Sequence, residues 1–292
     1  MKRLLIIVAG FALLIGAALL VVRIAAPLVF IDAKRELRLA LGLPKTWKRD
    51  FNLDTASAEK LACPDPEAIV IVTGGQSNAA NAFADPLPAS AAGGTYMMLD
   101  GACYRLRDPV LGATGQDGSL WTGLGSALHR ATGRPVVFIN GAVGGSQLGD
   151  WLDDRSGYRQ RLVAQVQAAR RAGLNPDTMI WIQGETDAAV LLDPALYVRQ
   201  MQELVAHFDA EGATLTATPW IVFRSTHCMQ RRSNGPAIDK AIADWAAQSD
   251  RIVLGPLASA LDDSKRRDGC HFNGAGRDVL VADTLAIMAP AR

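Results

Sequence analysis

Two short segments at opposite ends of the chain hold the residue types of nucleophilic acyl transfer. Gly74-Gly75-Gln76-Ser77-Asn78 follows the apolar run 68–73, and Asp268-Gly269-Cys270-His271 lies near the C-terminus. A serine hydroxyl is a weak nucleophile at neutral pH and needs a base to take its proton during attack. His271 is the candidate base, and Asp268, three residues earlier, is placed to fix its tautomer and stabilise the imidazolium. His129 and His207 fall in predicted helices and read as structural or solvated, whereas His227 follows a predicted strand. The tetrahedral intermediate of such a reaction carries a negative oxygen, and each fixed donor aimed at it contributes about 3 to 4 kcal/mol. Three donors are available: the Ser77 backbone N–H, an N–H of the Gly144-Gly145 turn, and the Gln183 side-chain amide. Either glycine can be the donor.

The elements that position these residues are short apolar runs alternating with amphipathic helical patterns, the signature of an α/β domain. Strands are expected over 68–73, 135–140, 178–183, 219–224 and 251–254, and helices over 118–132, 158–172, 194–210, 237–248 and 274–289. Parallel strands joined by right-handed crossovers place all their C-terminal ends on one edge. Ser77 follows the first strand, Gly141 to Ser146 the second and Gln183 to Asp187 the third, so three segments converge there. Asp268 and His271 must reach the same edge from the loop before the last helix.

Several further residues are cleft candidates. Asn78, Gln147, Asp150, Trp151 and Arg224 all follow or end these strands. Trp151 stacks on a sugar ring or belongs to the core. Arg224 meets an acidic sugar or pairs with a nearby carboxylate. Glu185 either bonds around the serine turn or is a solvated carboxylate at a helix N-terminus.

The 292 residues carry a formal net charge of +1 with 49% hydrophobic residues, so a large core is available and nothing points to nucleic acid. Met1-Lys2-Arg3 precedes an uncharged apolar stretch, residues 4–22, ended by Arg23. That length suits a transmembrane helix, with Lys2 and Arg3 cytoplasmic. Residues 1–30 are therefore expected to be an N-terminal membrane anchor, with a signal segment as the alternative, residues 31–62 an amphipathic connector, and residues 63–292 the catalytic domain. The domain would then lie outside the cytoplasm, in the periplasm of a Gram-negative source. Four cysteines without a CxxC pair give no zinc pattern, and no metal or organic cofactor is expected. In an exported domain they permit two disulfides, with Cys63–Cys103 and Cys228–Cys270 the preferred pairing and buried thiols the alternative.

Taken in chain order, Gly75-Gln76-Ser77-Asn78, the 140–146 segment Asn-Gly-Ala-Val-Gly-Gly-Ser, the 181–187 segment Trp-Ile-Gln-Gly-Glu-Thr-Asp and Asp268-x-x-His271 resemble the blocks of the SGNH hydrolase superfamily. Within it the likeness is to the sialate O-acetylesterase-like and plant-type carbohydrate acetylesterases, and it runs from about residue 68 to 289. The resemblance implies a flavodoxin-like three-layer sandwich around a five-stranded parallel sheet. It also implies Ser77 as nucleophile, His271 as base and Asp268 as its orienter, with Gly144 and Gln183 completing the oxyanion hole that the Ser77 N–H begins; read from the residues themselves, Asn78, Gly145, Glu185, Trp151 and Arg224 are the candidates to lie around it. Gln183 stands where the superfamily name expects Asn, a departure that matches the carbohydrate branch. The expected activity is that of a serine esterase removing acetyl groups from an extracytoplasmic O-acetylated saccharide or polysaccharide through an acyl-enzyme. An O-acetyltransferase of an exopolysaccharide pathway uses the same triad, and an inactive carbohydrate-binding subunit keeps the fold without the chemistry.

Overall fold

The computed structural model describes residues 49–90, 93–228 and 233–289. The apolar stretch 4–22, the rest of the expected anchor and the connector as far as residue 48 lie outside them. No helix among the described residues is long and apolar enough to cross a membrane, so the expected transmembrane helix has no counterpart among them, and the described fold is that of the α/β domain.

Among the described residues eight strands form one mixed sheet: β1 (Lys60–Leu61), β2 (Ile69–Gly75), β3 (Thr95–Leu99), β4 (Ala102–Arg105), β5 (Val136–Asn140), β6 (Thr178–Ile182), β7 (Trp220–Val222) and β8 (Ile252–Leu254). Their order is β1-β4-β3-β5-β2-β6-β7-β8. This corrects the expected five-stranded parallel sheet. The five expected strands are β2, β5, β6, β7 and β8, and they pair in parallel. On the β5 side the sheet continues through β3, also parallel, and then through the antiparallel β4 and β1. The extension turns at Asp100-Gly101, both at positive φ, the backbone a two-residue hairpin needs to match strand twist. Every residue of β2, β5 and β6 is buried, as expected of central parallel strands covered on both faces.

The helices are α1 (Trp121–Thr132), α2 (Leu148–Leu152), α3 (Tyr158–Arg171), α4 (Glu185–Ala189), α5 (Pro194–Ala210), α6 (Gly235–Ala246) and α7 (Gly274–Met288). Their starts are written in local chemistry. Asp193 accepts from the Leu196 N–H ahead of Pro194, and Asn273 accepts from Gly276 N–H to open α7 two residues after His271. Gln147 and Asp150 form a reciprocal capping box at α2, which employs two of the expected cleft residues in a helix start.

The connector's described end is irregular apart from β1. It is stitched to the domain, with Asn52 N–H donating to Ala113 O at 2.8 Å and the Asn52 amide reaching Pro109 O and Val110 O. Both expected disulfides are present, Cys63–Cys103 and Cys228–Cys270, and the described residues contain no free cysteine.

The strand order reverses direction at β2: the chain goes to β5 on one side and later to β6 on the other. In an open α/β sheet the crevice at such a reversal, beyond the strands' C-terminal ends, is where ligands bind. Ser77 sits there.

Candidate active site

The serine turn exists because β2 ends in Gly74-Gly75. Gly75 has φ +121°, and a Cβ on it would lie 2.0 Å from Ile182 O, so only glycine lets β2 run this close to β6 and then break. Ser77 opens a single 3-10 turn, Ser77–Ala79, as a half-buried residue between two buried ones. Those neighbours are bonded to the 183–186 segment in reciprocal fashion. Gln76 Oε1 accepts the N–H groups of Gly184 and Thr186 at 3.4 and 3.1 Å, while Asn78 Nδ2 donates to Glu185 Oε1 at 2.6 Å. Glu185 Oε1 also accepts from Ser225 Oγ at 2.7 Å. Burial raises the Glu185 carboxyl above its ordinary pKa, against the opposing bonds from Asn78 and Ser225 and the charge of Arg266. Of its two expected settings, Glu185 takes the one around the serine turn: it is 1% exposed and bonds a side chain there.

On the other side of the turn, His271 Nδ1 lies 2.7 Å from Asp268 Oδ2, and Asp268 Oδ1 accepts the His271 and Cys270 N–H groups at 2.7 and 3.0 Å. A hydrogen on Nδ1 directed at Asp268 leaves Nε2 as the basic nitrogen. Burial works to raise the Asp268 carboxyl, but the bonds from the His271 ring and backbone outweigh it, and the group titrates below its ordinary value. The loop is held by Arg266, a residue without a motif of its own. Its guanidinium donates to Leu261 O, Cys270 O and Ala258 O at 3.1, 2.5 and 2.8 Å and lies over the Phe272 ring at 4.3 Å.

The two halves meet through their neighbours. Asn78 Nδ2 reaches Cys270 O at 3.4 Å, the Ala84 N–H donates to Phe272 O at 2.9 Å, and the Phe83 and Phe272 rings pack at 5.3 Å. The residue after Ser77 is thus bonded to the residue before His271.

The oxyanion candidates divide. No hydrogen bond among the described residues engages the Ser77 N–H. Gly144 is adjacent to the serine, since a Cβ on it would lie 3.8 Å from Ser77 Cβ, and its N–H donates to Thr114 Oγ1 at 2.7 Å. Gly145, at φ +69°, is exposed with open space around it. Gln183 is fully buried and its amide is turned inward, donating to Ser146 O at 2.9 Å and Asp187 Oδ2 at 3.1 Å; in this structure it offers no donor to a substrate. Asp187 accepts from Leu148 N–H at 3.0 Å through its other oxygen, tying the 181–187 segment to α2. Burial, reinforced by the charges of Asp150 and Glu185, raises its pKa to about 6.

Trp151 is not a sugar platform. It is fully buried, donates to Ser146 Oγ at 3.1 Å and meets Trp181 edge-on at 4.8 Å. Arg224 is partly buried; it donates to Gly255 O at 3.4 Å, and its charge acts on the buried Asp239. The described residues contain no cluster of His, Cys, Asp and Glu that would hold a metal ion.

A family model described as carbohydrate esterase, sialic acid-specific acetylesterase, matches residues 120–286. The chain belongs to this carbohydrate esterase family. It is accordingly a carboxylic ester hydrolase of the acetylesterase kind. The matched span contains Gly144, Gln183, Glu185, Asp268 and His271, and begins after Ser77. No curated protein matches the sequence. Among solved structures, a protein from Arabidopsis thaliana is similar with TM-score 0.64 and 15% identity, over 76% of this chain and 98% of that one. NanS is similar with TM-score 0.54 and 16% identity, over 78% and 98%. A carbohydrate acetylesterase from Xanthomonas citri is similar with TM-score 0.53 and 18% identity, over 75% of this chain and 56% of that one. At these identities the likeness is one of fold.

Proposed function

We propose that this carbohydrate esterase is a serine enzyme that removes acetyl groups from an O-acetylated saccharide, with Ser77 as nucleophile, His271 as base and Asp268 as its orienter. Ser77 Oγ attacks the acetyl carbonyl as His271 Nε2 takes the hydroxyl proton. The tetrahedral oxygen meets the Ser77 N–H on the side of the Gly144-Gly145 turn. Collapse transfers the proton to the departing sugar oxygen and leaves acetyl-Ser77. Water, deprotonated by the same nitrogen, then releases acetate and restores the serine. The observation that carries this reading is the bonded chain from Asp268 to His271 on one loop, joined by Asn78 to the serine turn.

The site of action we propose is outside the cytoplasm. Two disulfides in one domain support it, because cytosolic thiols are kept reduced.

The test is acetate release from an aryl acetate and from acetylated saccharides by the purified chain and by Ser77→Ala. The variant should lose about 10⁴-fold or more in kcat. Full activity in Ser77→Ala would remove the mechanism.

A further inference from the structure

The Gly144 N–H does not point into free space in this structure, and the acceptor it finds is a residue with no part in any sequence motif. Thr114 Oγ1 takes that hydrogen at 2.7 Å. Having accepted one hydrogen bond, the hydroxyl still has its own hydrogen to give. Within the protein its acceptor is Ala142 O at 3.5 Å, the outer limit for such a bond and well beyond the usual 2.7 to 2.8 Å. Thr114 is 7% exposed, so this hydrogen sits where a polar group needs a good partner.

The position is shared with the nucleophile. The Cβ that Gly144 lacks would fall 3.3 Å from Thr114 Oγ1 and 3.8 Å from Ser77 Cβ, so hydroxyl and serine border one small space that glycine keeps open. The backbone of Thr114 is fixed around it. Its N–H donates to Ala142 O at 3.1 Å, its carbonyl accepts from Asn81 N–H at 3.0 Å, and it bridges Phe51. A donor held this way costs little reorganisation when charge develops. Meanwhile the Gln183 amide is committed to Ser146 and Asp187.

We infer that the Thr114 hydroxyl is an oxyanion donor of this esterase, taking the place of the Gln183 amide and transmitting the pull of the Gly144 N–H to the tetrahedral oxygen. Accepting from Gly144 polarises the hydroxyl and makes it a stronger donor. The inference rests on the Ser77 mechanism above, and the alternative role for the same contact is opposite in sign. A hydroxyl that merely occupied the Gly144 N–H would compete with the oxyanion, and removing it would help catalysis.

The experiment compares Ser77→Ala, Thr114→Ala, Thr114→Val and Thr114→Ser in steady-state hydrolysis of an aryl acetate, with inhibition by a boronic acid and thermal melts alongside. Thr114→Ala and Thr114→Val should lose about 10²-fold in kcat with KM within a few-fold, and lose boronate affinity in parallel. Thr114→Ser, which keeps the hydroxyl, should recover most of the rate. A purely structural threonine would instead lower the melting temperature and leave the boronate affinity of the folded enzyme unchanged, which overturns the inference. So would unchanged or increased kcat in Thr114→Ala while Ser77→Ala is inactive, and that outcome leaves the serine mechanism standing. Activity in Ser77→Ala is the separate failure of the mechanism itself.

Discussion

The serine turn and the histidine loop are held by opposite means. Around Ser77 the work is done by buried side chains: Gln76, Asn78 and Glu185 interlock two strand ends, and the last two are at most 1% exposed. Around His271 the loop is at the surface. Its side chain is 25% exposed and that of Asp268 45%, and the loop is fastened by a disulfide, by Arg266 and by the single bond from Asn78. Ser77, the proposed nucleophile, follows a strand at the centre of the sheet and inherits its rigidity. His271, the proposed base, sits on a surface loop that has no such inheritance and must be tied down.

In activity, the loop side is the more sensitive to substitution. Asp268→Asn should keep the fold, because its side chain is half exposed, and lose about 10³- to 10⁴-fold in kcat through the wrong histidine tautomer. Steady-state kinetics beside a melt will show it. On the serine side the order should reverse. Glu185→Ala strands the Asn78 amide and Ser225 hydroxyl in the core, at about 3 to 5 kcal/mol of stability, and whatever stays folded should keep more activity than Asp268→Asn. Chemical denaturation measures the first effect and titrated active sites the second. Replacing Cys228 and Cys270 together by Ala should cost about 3 kcal/mol, with kcat falling by roughly tenfold because the base is less well placed. If the melting temperature falls and kcat does not, the disulfide is a staple for the domain and not for the loop.

The smallest effect concerns the buried acids behind the serine turn. Asp187 has its pKa raised from 3.8 to about 6, so the folded state favours its protonated form. Its contribution is complete below pH about 4 and is lost as pH rises to about 6, at most on the order of 2 to 3 kcal/mol. Asp187→Asn, neutral throughout, should flatten the stability profile between pH 4 and 7. A slope that persists in this variant belongs to another group. Asp268, whose pKa is lowered, acts in the opposite direction: its bond to His271 is present above the unfolded carboxylate pKa and is lost as pH falls through the lower folded one.

What could be read from the sequence follows the range of the forces involved. Strands β2, β5, β6 and β7 are legible because burial writes continuous apolar runs, β8 because its three residues are all apolar although it lies at the edge, and Ser77, Asp268 and His271 are legible as candidates because their chemistry is local to a turn. The β3–β4 hairpin is not, since its strands mix Met and Tyr with Thr, Ala and Arg, and its turn is only Asp100-Gly101. That pair between short runs is the signal that would have found it. Glu185 is legible as a residue near the turn, but its bond to Asn78 spans 107 positions. Thr114 and Arg266 carry no motif at all, because their partners are carbonyls and N–H groups, which every residue has. Trp151 reads as either a ring at the cleft or a core residue, and the structure gives the core setting, since α2 turns it onto Trp181.

The bond between Asn78 and Cys270 joins residues 192 positions apart. Synthesis runs from the N-terminus, and the sheet centre, the serine turn and the glycine loop are all made before the histidine. Until residue 271 is made, the proposed nucleophile therefore has no proposed base beside it. The proposed catalytic pair is completed only when the loop of residues 268–271 joins the serine turn, and the oxidation of Cys270 is coupled in space to the arrival of His271 beside it.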